Sequence, residues 1–145
     1  MKVLMAALAL GGMTAAAWAQ QTPAGLWRTI DDDGKTVKSH VRIQEQSGVY
    51  SAVVEKVLDP KAPPNAKCDL CKDDRKDKPI VGLEIMRGVK ADGEGVWAGG
   101  EILDPDDGKT YRVRLKPLEG GKRLEVRGYI GAPLFGRSQT WQRLE

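Results

Sequence analysis

Strict two-residue alternation, broken at short intervals by glycine-containing turns, most limits what this chain can fold into. Val37, Ser39, Val41 and Ile43 alternate with Lys38, His40, Arg42 and Gln44. Tyr111, Val113 and Leu115 alternate with Arg112, Arg114 and Lys116, and Leu124, Val126 and Gly128 with Glu125, Arg127 and Tyr129. Successive side chains of a strand point to opposite faces, so each run reads as a strand with one dry and one wet face. The breaks have their own mechanism. Asp33-Gly34, Asp92-Gly93, Asp107-Gly108 and Gly120-Gly121 supply the positive φ values that tight hairpins need, and Ser47-Gly48 separates the strand ending near Glu45 from the one beginning at Val49. The pattern predicts strands near 24–30, 36–45, 49–57, 80–89, 95–103, 110–116, 123–130 and 137–144. Ile80 to Val89 also fits a short helix.

Eight strands at this spacing imply a closed up-and-down barrel or a sandwich, and closure has the advantage of removing exposed sheet edges. Gly25-Leu26-Trp27 on the first strand and Trp141-Gln142-Arg143 on the last point to a sheet that meets its own beginning. One segment breaks the rhythm. From Asp59 to Pro79 the chain carries prolines, many charges and both cysteines, with no periodic face. It reads as a long loop, and long loops in compact domains are often functional.

The first residues have the layout of a secretory signal peptide. Lys2 precedes an apolar run from Val3 to Leu10, and Ala17-Trp18-Ala19 forms an A-x-A cleavage site. Gly11-Gly12 interrupts the run, which is shorter than the about 20 apolar residues a membrane span takes. The expectation is a leader over 1–19, cleavage after Ala19, and one folded domain over 20–145 in the periplasm or outside the cell. No cysteine follows the cleavage site to carry a lipid anchor, and no later segment predicts stable membrane insertion. The formal net charge of +3 falls to about +2 once Lys2 leaves with the leader. Arg112, Arg114, Lys122, Arg123 and Arg127 alternate with apolar residues, as a solvated strand face does. Nucleic acid is therefore not an expected partner.

Few residues offer chemistry. Cys68-Asp69-Leu70-Cys71 in an exported chain favours a disulfide that pins the long loop. A redox pair would normally begin a helix that lowers one thiol's pKa, and these flanks are proline-rich and then charged. A metal site would need more ligands; the one histidine, His40, lies far away in sequence, and Asp73, Asp74 and Asp77 are hard ligands beside soft sulfur. His40 has no recognisable triad partners. The acidic turns at 31–35 and 104–109 lack the spaced ligands of a calcium loop and read as hairpins. The reading therefore assigns no catalytic residue, no metal and no cofactor.

Several motifs in combination carry a family resemblance. They are Gly25-Leu26-Trp27, Asp32-Asp33-Gly34-Lys35, the C-x-x-C, Gly82-Leu83, the run from Gly99-Gly100 to Asp104-Pro105, Gly108 to Tyr111, Arg127 to Gly131, and the closing Trp141-Gln142-Arg143. Together they resemble the bacterial exported domain of unknown function family numbered twenty-one forty-seven, across essentially all of the mature chain. The resemblance implies an eight-stranded, antiparallel, lipocalin-like β-barrel and brings no catalytic residues. The chain is similar to lipocalins in a further respect. A G-x-W on their first strand packs under a basic residue of the last, which implies closure by Gly25, Trp27 and Arg143, with Arg137 as the alternative. It is shorter than lipocalins and lacks their C-terminal helix, which leaves either a small calyx or a filled barrel.

The expected function is non-catalytic binding of a small apolar or amphipathic ligand in the cell envelope. The expected inward residues are Val41, Ile43, Val54, Trp97, Tyr111, Val113 and Val126, with Leu134 and Phe135 at the opening. Two alternatives stand beside it: a structural or protein-interaction barrel with a filled core, and a thiol-redox role for the cysteine loop.

Overall fold

In the computed structural model, which describes residues 22–145 and Gly11, the chain forms a closed antiparallel barrel. The expected leader and its cleavage point after Ala19 lie, Gly11 apart, outside the described residues. The strands are β1 (Gly25–Ile30), β2 (Val37–Gln46), β3 (Val49–Val57), β4 (Glu84–Ala91), β5 (Trp97–Asp104), β6 (Lys109–Leu118), β7 (Arg123–Tyr129) and β8 (Gly136–Arg143). Each pairs with the next, and β8 returns to β1 through Trp27 opposite Arg143 and Arg28 opposite Gln142.

Up-and-down order places alternate connections at opposite ends. The short turns after β2, β4 and β6 share one end with the start of β1 and the end of β8. The connections after β1, β3, β5 and β7 form the other end. At the first end the interior is solid. Trp27, Val41, Met86, Val89, Val113, Leu115 and Leu124 are all fully buried in one cluster, where the hydrophobic effect is strongest. Arg143 lies over the Trp27 ring, 4.3 Å from its centroid. Its guanidinium donates to the carbonyls of Gly121 (2.5 Å), Thr22 (2.7 Å) and Ala24 (2.8 Å). The Trp27 indole N–H donates to the Pro23 carbonyl at 2.8 Å. These bonds satisfy buried polar groups that would otherwise cost free energy. Gly25 pairs with Ile43 beside them, and a side chain there would run into the Arg143 guanidinium and the Glu145 carbonyl.

The fourth strand departs from the expected 80–89. It begins at Glu84, and the residues before it turn. Gly82 adopts φ of 89°, a left-handed value that favours glycine and ends the extended backbone. Its N–H donates to the Val54 carbonyl (2.8 Å) and that of Leu83 to Ile80 (3.0 Å). The short-helix alternative for this segment is absent.

The 58–83 connection folds over the second end of the barrel. Lys67 bridges Pro79, Cys68 N–H donates to the Lys78 carbonyl (2.8 Å), and Ile80 N–H to Ala66 (2.9 Å). Cys68 and Cys71 form a disulfide with Cα atoms 5.4 Å apart, both side chains buried. Arg75, only 3% exposed, binds the Asp73 carboxylate (2.5 Å) and the Glu84 carbonyl (2.9 Å), tying the loop to the start of β4. The loop also meets the β5–β6 turn: a Cβ on Gly108, whose φ is 70°, would overlap the Leu70 carbonyl.

Candidate functional site

Beneath this roof lies a cavity of about 810 Å³. The upper barrel contributes small or slender inward residues, Thr29, Ser39, Val54, Val126 and Gly128, where the lower barrel has large ones. That change in side-chain volume opens the cavity. Ile85, Ile102, Leu103 and Trp141 complete the apolar wall, and the long loop covers it with Ala62, Pro63, Ala66, Leu70 and Ile80.

Polar groups gather at the mouth. Arg137 binds Asp104 (2.6 Å) and Asp32 (3.2 Å) and lies over the Tyr111 ring, 5.4 Å from its centroid. The Tyr111 hydroxyl donates to Asp107 at 2.5 Å. The Trp141 indole N–H donates to Gln139 (3.0 Å), whose amide donates to Asp32 (2.7 Å). Lys38 bridges Asp59 and Asp106, both at 2.8 Å.

These contacts shift protonation. Burial raises the Asp104 carboxyl above its ordinary value, the Asp107 and Asp106 charges add to this, and the Asp106 amide and Arg137 offset it in part. The hydrogen bond to Asp107 raises the Tyr111 hydroxyl. Burial opposes the charge on Lys38, but Asp106 and Asp59 outweigh it and raise its pKa.

The structure distributes the expected ligand residues unevenly. Val54, Tyr111 and Val126 lie on the cavity wall. Val41, Ile43 and Val113 do not: they are buried in the filled lower barrel, where large neighbours leave no space. Trp97 is also away from the cavity, at the start of β5, edge-on to Tyr50 with ring centroids 6.1 Å apart. Leu134 and Phe135 stand 80% and 72% exposed on the β7–β8 loop and do not line the cavity. Arg127 holds this loop on the outside through the Pro133 carbonyl (2.6 Å) and the Ser138 hydroxyl (2.9 Å). Arg137, the alternative partner for Trp27, sits at the opposite end from it.

The mouth residues Asp32, Lys38, Asp104, Arg137 and Gln139 are absent from the expected set. Alternation on β8 carries the missing signal. Arg137, Gln139 and Trp141 share parity with Arg143, and they pair with Gly128, Val126 and Leu124 of the inward row of β7.

The acidic turns are held by their own backbones. Asp33 accepts from Lys35 N–H and Thr36 N–H, both at 2.8 Å, and Asp107 accepts from Lys109 N–H at 2.8 Å. Among the described residues no group of three or more His, Cys, Asp or Glu side chains is placed to hold a metal ion. Neither cysteine begins a helix. His40 lies on β2 between Arg28 and Lys56 of the neighbouring strands.

A family of bacterial proteins described as "Uncharacterized protein conserved in bacteria (DUF2147)" matches residues 25–143, the full span of the barrel. The chain belongs to this family. Comparison of this DUF2147 chain with curated proteins finds no match. Among solved structures it is similar to protein HP1028 from Helicobacter pylori, described as belonging to the lipocalin family. The two are 23% identical, with a TM-score of 0.71 over 84% of this chain and 82% of that one. The likeness is one of fold, and the DUF2147 barrel is lipocalin-like. Among the described residues no helix is long and apolar enough to cross a membrane.

Proposed function

We propose that this protein is an exported, non-catalytic binding protein of the cell envelope that holds a small apolar or amphipathic molecule in the barrel cavity. The cavity carries the reading. Its volume of about 810 Å³ lies within the roughly 300–1,000 Å³ of small-molecule sites, and such sites combine apolar walls with a few placed polar groups. The wall of Val54, Ile85, Ile102, Val126 and Trp141 meets the first condition, and Arg137, Asp104, Tyr111 and Gln139 meet the second. The lipocalin-like fold supports the reading by analogy. Export is supported by the leader pattern over 1–19, which leaves a mature chain of 20–145, and by the buried disulfide.

Two measurements test it. Native mass spectrometry of protein purified from the envelope should reveal bound mass. The neutral dye N-phenyl-1-naphthylamine should brighten on binding and quench Trp141. Gly128→Val adds bulk facing Tyr111 and Ile102, where a Cβ makes only ordinary contacts, and should weaken dye binding while the fold persists. A folded chain that carries no ligand and leaves the dye dark would sink the proposal.

A second reading, contact with a partner protein, is supported by the exposed Ile130, Leu134 and Phe135 on one loop. Replacing Leu134 and Phe135 by serine would then abolish partner capture and leave dye binding intact.

A further inference from the structure

Ligand binding in the cavity leaves open what charge the ligand carries, and the mouth bears on that directly. Seven aspartates line the cavity against four lysines and arginines, an excess of three negative charges. This acidic opening sits on a chain whose formal net charge is +3. Two of the four cations are already engaged. Lys38 lies between Asp59 and Asp106, each at 2.8 Å, with Asp31 at 3.9 Å. Arg137 is held by Asp104 at 2.6 Å and Asp32 at 3.2 Å. Lys61 and Lys67 stand exposed on the roof loop, and at Lys38 or Arg137 an arriving carboxylate, sulfate or phosphate would have to displace one aspartate and then sit among the rest. Low-dielectric walls make that repulsion stronger than it is in water.

An ammonium group meets the reverse situation. One oxygen of Asp104 binds Arg137 and the other accepts the Asp106 N–H at 2.9 Å, so lone pairs remain on both. Asp104 is also the carboxylate whose proton affinity burial and its acidic neighbours raise, the mark of a negative charge short of compensation. Asp32 is similarly placed, between Arg137 and Gln139.

Resting on the ligand-binding reading, we propose that the cavity takes a cationic amphiphile, its apolar body against Ile85, Ile102, Val126 and Trp141 and its protonated amine at the mouth, on the carboxylate lone pairs of Asp104 and Asp32 that Arg137 leaves open. The cavity makes the site, and the carboxylates decide which head group enters. An arginine inside an apolar pocket would ordinarily point to a fatty acid; here its charge is already paired with two aspartates.

The test is competition for bound N-phenyl-1-naphthylamine by three probes with the same chain length: decylamine, decanol and decanoate, each below its aggregation concentration. Decylamine should displace the dye at concentrations about tenfold lower than decanoate, equivalent to about 1.4 kcal/mol, with decanol between them. Added salt should narrow the gap, because the preference is electrostatic. Asp104→Asn and Asp32→Asn should each weaken decylamine several-fold and leave decanol nearly unchanged. Asp32→Asn keeps the test sound if Asp104→Asn disturbs the β5–β6 turn, and circular dichroism checks the fold of both. Decanoate competing as well as decylamine, or decylamine matching decanol, would overturn the charge assignment while ligand binding stands. A dye that never binds the folded chain would overturn both.

Discussion

The two ends of the barrel carry the same device in different surroundings. At each end an arginine of β8 lies over an aromatic ring: Arg143 over Trp27 at 4.3 Å, Arg137 over Tyr111 at 5.4 Å. Arg143 binds backbone carbonyls, and burial alone lowers its pKa. Arg137 binds the carboxylates Asp104 and Asp32, which overcome the cost of burial and raise its pKa. Carbonyls fixed in the chain make a permanent seal. Partly exposed side-chain carboxylates at the mouth can exchange one cation for another. One pair closes the barrel, and the other leaves an opening whose polar partners are replaceable.

The largest effect should come from the sealed end. Trp27→Ala removes a fully buried ring and should cost about 3–5 kcal/mol, read by denaturant unfolding. A loss below about 1 kcal/mol would mean the closure seam does not depend on the ring. Arg143→Gln leaves several carbonyls short of a donor and should cost about 1–3 kcal/mol. Cys68→Ser with Cys71→Ser opens only a very short loop and should cost at most about 2 kcal/mol. Limited proteolysis should then cut within 58–83 and spare the strands; equal protection in variant and parent would show that the loop is held without the disulfide. Arg137→Gln, at the half-exposed mouth, should cost under about 1 kcal/mol. If Arg137→Gln destabilised as much as Arg143→Gln, the contrast between the two ends would fail.

The smallest effect is pH-dependent and concerns the roof. Arg75 donates to the Asp73 carboxylate and lowers its pKa from 3.8 to about 2. A carboxylate whose folded pKa is depressed stabilises the fold above its unfolded value, and that contribution disappears as pH falls through the folded one. The roof should therefore loosen between about pH 4 and pH 2, with more pepsin cleavage in 58–83. Asp104 has the opposite sign: its pKa is raised, so acidification relieves a strain at the mouth. Asp73→Asn should reduce the acid sensitivity of the roof, the remainder coming from the Asp59–Lys38 and Asp74–Arg87 pairs, whose carboxylates are also held below their ordinary pKa.

Much of the barrel is legible in the chain because alternation and turn chemistry act locally. Tyr111, Val113 and Leu115 on one face of β6 need no distant residue to define that face. The site is less legible. Alternation places Val41 and Val126 on inward rows alike, yet only Val126 meets the cavity. The difference is height along the barrel axis, set by the stagger of the strands and by the bulk of what stands opposite. The start of β4 was obscured for a related reason. Ile80 and Leu83 have the apolarity of a strand, but they belong to the folded loop, Ile80 half-buried and Leu83 buried, and Gly82 turns between them.

The sequence by itself determined the hairpin order and the two faces of each strand and pointed to a sheet that meets its own beginning, while the resemblance to lipocalins implied that Trp27 meets a basic residue of the last strand. Each follows from a two-residue period, from φ values few residues tolerate, or from a pair of side chains suited to stack. The tertiary structure alone decided that Arg143 rather than Arg137 meets that ring, that the lower barrel is filled and the upper open, and that the cysteine loop roofs the opening. These outcomes depend on how eight strands bring side chains to the same level, and on where a loop without periodicity finds its hydrogen bonds. Neither quantity is local in the chain.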